Sequence, residues 1–370
     1  MARYNKSRRP KLKRYRRSFY SREMRLKKGI GIAILVVAVL VAAWLAAPHV
    51  LDWATHTWYT VVRDRDLSAS SSAASTADST AASEAAAASQ VDESAEETVT
   101  TGTEIVEGSW AAVDIAALTS DASIDAAAQR LAAQGAKYAL VTLKDETGAV
   151  YYDSQVAGAA GGVAATAVKV DPERIATIFK EAGLVPVADL HAFRDPCGAR
   201  TVRSMAIHYT GQDYLWLDNR ADAGGNPWLN PYSSESVQYI GDLVAEVHAA
   251  GFDHVLLESV QFPSAQNGRQ DFGSTGGVSR ADQLTADITA WGQRFGGEVT
   301  LWYGYSLTQT TGTSTTLGAP ALELGIENLV VDVPASSTLD EAGRIALEQQ
   351  LADAGVVHGV IRDDAAGSFQ

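Results

Sequence analysis

In "SESVQYIGDLVAEVHAAGFDHVLLESVQFPS", residues 234–264, a long helix over Ser234–Ala250 gives way to a buried strand that ends in polar side chains and a proline. The apolar run Val255-Leu256-Leu257 passes straight into Glu258, Ser259 and Gln261. A carboxylate in that position is costly unless it is partnered. It either caps a structural loop or faces a reaction site, and the neighbouring segments bear on which.

On the N-terminal side lie a strand candidate at Trp110–Leu118, an amphipathic helix at Ser123–Gln134 closed by Gly135, and a strand at 136–144 that breaks at Asp145-Glu146-Thr147-Gly148. A short strand is expected at Val150–Tyr152. The stretch "DPERIATIFKEAG" carries Asp171 as N-cap, Pro172 at the first helical position and Gly183 at the end. It leads into the strand "LVPVADLHAF". On the C-terminal side, helices at Ser279–Phe295 and Asp340–Ala354 alternate with strands at 298–305, 326–334 and "VVHGVIR". Strands alternating with helices imply a parallel sheet, and unbroken apolar strand cores fit a sheet covered on both faces. The expected fold class is α/β, a TIM-like β/α barrel. A doubly wound open sheet is the alternative. Seven strands are counted rather than eight, so closure is left open, with a last unit degenerate or missing.

The globular pattern occupies only residues 104–370. Residues 1–28 carry thirteen Lys and Arg against Glu23 alone, a net +12, so with −14 for the whole chain the remainder carries −26. Residues 29–47, "GIGIAILVVAVLVAAWLAA", are nineteen uncharged residues. That is close to the ~20 needed to span a bilayer core. The basic head places residues 1–28 in the cytoplasm and the acidic body outside, in a single-pass membrane protein. Beside a membrane span, the basic cluster reads as topology and lipid attraction, not nucleic-acid binding. Residues 48–66 form a juxtamembrane segment. Residues 67–103, Ala- and Ser-rich without Lys, Arg, Pro or aromatic residues, read as a disordered tether. Cys197 is the only cysteine, which excludes an intrachain disulfide, and there is no CxxC or HExxH, so neither a zinc site nor a cofactor is expected.

In β/α barrels reactive residues sit at the C-terminal ends of strands. Here those ends supply Lys144, Asp145 and Glu146; Asp189, His191, Arg194 and Asp195; Glu258 and Gln261; Trp302, Tyr303 and Tyr305; and Asp332. Carboxylates on one rim with aromatics between them suit cleavage of a glycosidic bond, where one carboxyl protonates the leaving oxygen and another acts as nucleophile or base. The structural alternatives stay open: Asp145 before Gly148 and Asp195 before Pro196 are both ordinary turn residues. His191 equally suits a satisfied interior histidine. Trp216 and Trp228 lie in a Gly/Asn-rich loop that either folds over a groove or packs on the barrel.

"YALVTLKDETGAVYYDS", "ADLHAFRDP", "NPWLNPYSSESVQYIGDLVAEVHAAGFDHVLLESVQFP" and "SRADQLTADI" occur in this order, and the chain resembles the bacterial putative glycoside hydrolases long catalogued as a domain of unknown function. The resemblance covers roughly residues 105–340 and is most specific over Asn226–Pro263. It implies a TIM-barrel-like fold and sugar polymers as substrates. Against the family's Asp-Tyr-x-Arg at the end of strand four, this chain has Glu258-Ser259-Val260-Gln261. Asp189 stands where the family generally has Arg, and the late Pro-Met-Tyr-Pro is reduced to Val333-Pro334-Ala335-Ser336. A divergent member is implied, with Glu258 in the place of the strand-end acid.

The expectation is a membrane-anchored glycoside hydrolase acting on wall or capsular polysaccharide, with peptidoglycan-associated glycan among the possible partners. Glu258 leads the chemistry and Asp145 or Asp189 is the second carboxyl. His191, Trp228, Tyr232, Gln261, Trp302, Tyr303 and Tyr305 contact substrate. The alternative is a non-catalytic glycan-binding or wall-scaffolding domain on the same barrel.

Overall fold

Period-two alternation along the strands separates two layers of the molecule. The computed structural model describes residues 104–105, 110–264, 269–334, 336–337, 339–363 and 368–369. The expected basic tail, membrane span, juxtamembrane segment and tether lie outside the described residues. Among the described residues, no helix is long and apolar enough to cross a membrane. Strands β1 (Glu104–Ile105), β2 (Trp110–Val113), β3 (Tyr138–Lys144), β4 (Val185–His191), β6 (His254–Glu258), β8 (Thr300–Ser306), β9 (Asn328–Val333) and β10 (His358–Asp363) form one parallel sheet. β11 (Ser368–Phe369) adds antiparallel to β10. Two short strands, β5 (His208–Tyr209) and β7 (Gln270–Asp271), pair separately.

The neighbour order runs β2-β3-β4-β6-β8-β9-β10-β1, strictly along the chain until it returns to β1. A doubly wound sheet reverses its order at a switch point. None occurs here, so the open-sheet alternative is set aside. β1 and β2, at the two ends of this path, are only four residues apart in sequence. Trp110, Leu140, Val187, Leu256, Trp302, Val330 and Val360, one from each of seven strands, meet in a single buried cluster. Seven strands laid flat would span roughly 29 Å at about 4.8 Å per neighbour, too far for such a meeting. The rings of Trp110 and Trp302 cross edge-on with centroids 5.1 Å apart. The sheet is therefore rolled into a TIM-like α/β arrangement.

The opposite face of each strand packs on helices. Val141, Ala188, Val255, Leu301 and Val331 share the larger core with Ile175, Phe179, Leu243, Val247, Leu284 and Trp291. Burying each Phe, Leu or Ile there contributes about 1.5–3 kcal/mol. The helices are α1 (Asp121–Ala133), α2 (Ala160–Ala165), α3 (Pro172–Glu181), α4 (Pro196–Thr201), α5 (Ser234–Ala249), α6 (Arg280–Phe295), α7 (Leu307–Thr311) and α8 (Glu341–Asp353). Their starts follow local chemistry. Ser120, Asp171, Ser233, Ser279 and Asp340 cap α1, α3, α5, α6 and α8, satisfying otherwise unbonded N–H groups. The strand expected at Val150–Tyr152 is reduced to an isolated bridge between Lys144 and Val150. Between β8 and β9 the crossover helix is only the five residues of α7, so the degenerate unit falls there.

Candidate active site

Two residues beyond the apolar ring, toward the C-terminal end, the inward positions of six strands are Thr142, Asp189, Glu258, Gly304, Asp332 and Arg362. Each follows from the alternation that placed Leu140, Val187, Leu256, Trp302, Val330 and Val360 inside. A greasy floor is thus topped by a polar ring with three carboxyls and one guanidinium.

Arg362 organises the ring. It forms a two-pronged pair with Asp332, Nε to Oδ1 at 2.5 Å and Nη2 to Oδ2 at 2.5 Å. The same Nη2 lies 3.1 Å from Glu258 Oε1. Sharing one nitrogen at 3.1 and 2.5 Å, those Glu258 and Asp332 oxygens are at most 5.6 Å apart. Burial works against the charge of Arg362, and Glu258 and Asp332 more than offset it, so its pKa is raised. Gly304 makes room: a Cβ there would stand 3.3 Å from both Cγ and Cδ of Glu258.

Asp189 is the deeper carboxyl, 5% exposed. Thr142 Oγ1 donates to its Oδ2 at 2.7 Å, while its Oδ1 is buried without a hydrogen-bond partner. Burial, and next the negative charge of Glu258, push its pKa up to about 8. Both effects favour its protonated form. His191 closes one side, its Nδ1 3.0 Å from Ser259 Oγ. Burial lowers its pKa and favours the neutral imidazole. Ser259, directly after Glu258, has φ 56°, an uncommon conformation for a side chain other than Gly, Asn or Asp. The strained turn sits where the strand delivers its acid.

Several expected site residues have other duties. Asp145 is committed to its own turn: Oδ1 accepts from Thr147 N at 2.8 Å, Thr147 Oγ1 at 2.6 Å and Ala149 N at 3.1 Å, and Oδ2 from Tyr151 at 2.7 Å. Burial alone would raise its pKa, but these bonds together lower it. A bulge between Thr142 and Lys144 turns Lys144 away from the mouth. Its Nζ pairs with Asp195 at 3.1 Å, both groups being buried. Asp195 also caps α4 and accepts from Tyr239 at 2.9 Å. Trp302 belongs to the apolar floor, and Tyr303 and Tyr305 point outward into the helix layer, where Tyr305 donates to Val260 O at 2.9 Å. Trp228 is buried with Ile207 and Trp216, its Nε1 donating to Asp218 at 3.0 Å. None of these four offers a ring face to a sugar, so the expected stacking platforms are corrected to core. The tryptophan loop packs on the fold.

Gln261 remains partly exposed beside Glu258 and accepts from Gln309. Tyr232 is also partly exposed; it contacts Phe262 and Phe272 and donates to Val278 O at 2.9 Å. Arg362 went unnoticed in the sequence, and Asp332 was only one strand-end acid among several. Both carry a readable signal, a charged residue two positions after an inward valine. Among the described residues no three His, Cys, Asp or Glu side chains are grouped to hold a metal ion.

Residues 114–290 match the family described as "Putative glycosyl hydrolase domain", so the resemblance read from the motifs holds over that span. No curated protein matches the chain. Among solved structures, a hypothetical protein from Ruminiclostridium thermocellum matches at 20% identity and TM-score 0.45, over 53% of this chain and 96% of that one. The exo-β-N-acetylglucosaminidase of Vibrio harveyi matches at 9% identity and TM-score 0.45, over 68% of this chain and 40% of its own. The β-N-acetylhexosaminidase of Streptomyces coelicolor matches at 9% identity and TM-score 0.43, over 70% of this chain and 48% of its own. This chain therefore spans less than half the length of these two glycosidases.

Proposed function

We propose that residues 104–370 form a glycoside hydrolase acting on wall or capsular polysaccharide, held at the outer face of the membrane by residues 29–47. The observation that carries the reading is a pair of carboxyls in unlike surroundings at one strand-end mouth. Asp189 is buried with one oxygen unpartnered and its pKa raised, whereas Glu258 lies against a guanidinium. Carboxyls whose environments drive them apart are how glycosidases divide acid from base. In this reading Asp189 donates a proton to the leaving oxygen, and Glu258 acts on the sugar as nucleophile or as base toward water. Asp332 and Arg362 position Glu258. The family match over residues 114–290 supports the same class.

A second reading is favoured by one feature. Arg362 contacts both Glu258 and Asp332, an arrangement that also suits a glycan-binding mouth without turnover. The test is release of reducing ends from purified wall and capsular polysaccharides by the full-length chain and by Glu258→Gln. The amide keeps the shape but can neither carry the charge nor cycle a proton. Hydrolysis by the wild type, lost in the variant at unchanged melting temperature, is the expected result. Equal turnover in both would remove Glu258 from the chemistry. Binding without hydrolysis in either would establish the second reading.

A further inference from the structure

The charge of the mouth bears on which sugars it accepts. Among the described residues three carboxyls face inward, Asp189, Glu258 and Asp332, around the guanidinium of Arg362, which is bonded to Glu258 and Asp332. Two further strand-end cations are engaged elsewhere: Lys144 is turned away by the bulge and pairs with Asp195, and Arg194 pairs with Glu146. The inward oxygen without a partner, Asp189 Oδ1, belongs to a side chain more than nine-tenths buried. The oxygens of Glu258 and Asp332, gathered around Arg362, accept hydrogen bonds and do not donate them, whereas Asp189, its pKa raised, can also offer an O–H. A ligand seated here must therefore present O–H or N–H groups to Glu258 and Asp332. A second anion brought within about 5 Å of an uncompensated charge at an effective dielectric near 20 meets a repulsion of roughly a hundredfold in affinity.

Building on the glycan reading above, we infer that this mouth selects sugars bearing hydroxyl, acetamido or free amino groups and rejects uronates and phosphate-bearing polymers. The acidic body adds a diffuse repulsion of the same sign, but salt screens it over a Debye length of ~8–10 Å. The local effect is separable because one inward charge can be removed. Asp332→Asn takes away one carboxylate and releases part of Arg362 from its pair.

The experiment measures binding of four soluble hexasaccharides to the full-length chain by calorimetry, in a polyoxyethylene detergent that has no sugar headgroup to compete. The probes are cello-, chitin-, chitosan- and galacturonate hexamers at 150 mM salt. A neutral or amino hexamer should bind at least tenfold tighter than the galacturonate, and Asp332→Asn should narrow that ratio several-fold. Galacturonate binding as tightly as the others, or a ratio unmoved by Asp332→Asn, would overturn the selectivity. Binding of none of the four by a folded chain would instead overturn the glycan reading on which it rests.

Discussion

Replacing Arg362 by Gln removes the guanidinium that bonds Glu258 and Asp332 and leaves those two carboxyls facing each other. Their nearest bonded oxygens are at most 5.6 Å apart, since one nitrogen reaches them at 3.1 and 2.5 Å. At an effective dielectric near 20, two such charges repel by about 3 kcal/mol. The side chains are only 25%, 15% and 24% exposed for Arg362, Glu258 and Asp332, so solvent screens little of this. Breaking a buried pair by removing one partner typically costs about 3–5 kcal/mol, which agrees. For a domain of this size that is a fall in melting temperature on the order of 10 °C. The sign with pH follows. Without Arg362 the mutual repulsion raises a carboxyl's folded-state pKa, so the folded variant takes up a proton earlier than the unfolded chain does as pH falls. The deficit should be largest at pH 7 and shrink toward pH 5. Urea unfolding of the full-length chain, followed by intrinsic fluorescence at both pH values, measures it. Adding Asp332→Asn to Arg362→Gln should restore about half of the loss. An Arg362→Gln chain as stable as the wild type at pH 7, to within about 1 kcal/mol, would refute the assignment of Arg362 as the organiser of the mouth.

Burial and the neighbouring Glu258 push the Asp189 pKa up to about 8 from an ordinary 3.8, so the wild type should lose stability as pH rises from about 4 toward 8; Asp189→Asn should flatten that slope, as linkage requires. An unchanged slope in urea titrations would place the proton elsewhere. Gly304→Ala puts a methyl 3.3 Å from Cγ and Cδ of Glu258 and should weaken glycan binding or turnover at least tenfold, while overpacking costs only about 1–3 kcal/mol of stability. Unaltered binding would mean that the Glu258 carboxyl does not meet the ligand. For the expected topology, protease added to intact spheroplasts should remove the globular part and leave the basic head protected; protection of the globular part would reverse it.

The strands and most helices were legible because each carries its own signal: apolar runs bounded by Gly, and Ser or Asp caps such as Asp171-Pro172. Glu258 and Asp189 were legible as strand-end acids. The aromatic assignments failed for a reason already contained in the sequence. Tyr303 and Tyr305 share their side of the strand with Leu301, and Trp302 points the other way, into the floor. Nearness to a strand end does not fix the side of the strand on which a residue falls. The fate of Lys144 depends on a one-residue bulge that has no local signature. The link between Arg362 and Glu258 joins residues 104 apart in sequence, and only the rolled sheet brings them together.

The apolar floor has a consequence for traffic. Trp110, Trp302 and their five partners, all at most 4% exposed, meet in one cluster inside the rolled sheet. Among the described residues this floor closes the N-terminal side beneath the polar ring, so a ligand in the mouth enters and leaves on the strand-end side. Ligand, water and anything released must use the same opening in turn. A fragment still sitting in the doorway bars the next arrival, so its inhibition should be competitive, and its departure sets a ceiling on how fast the mouth can be refilled.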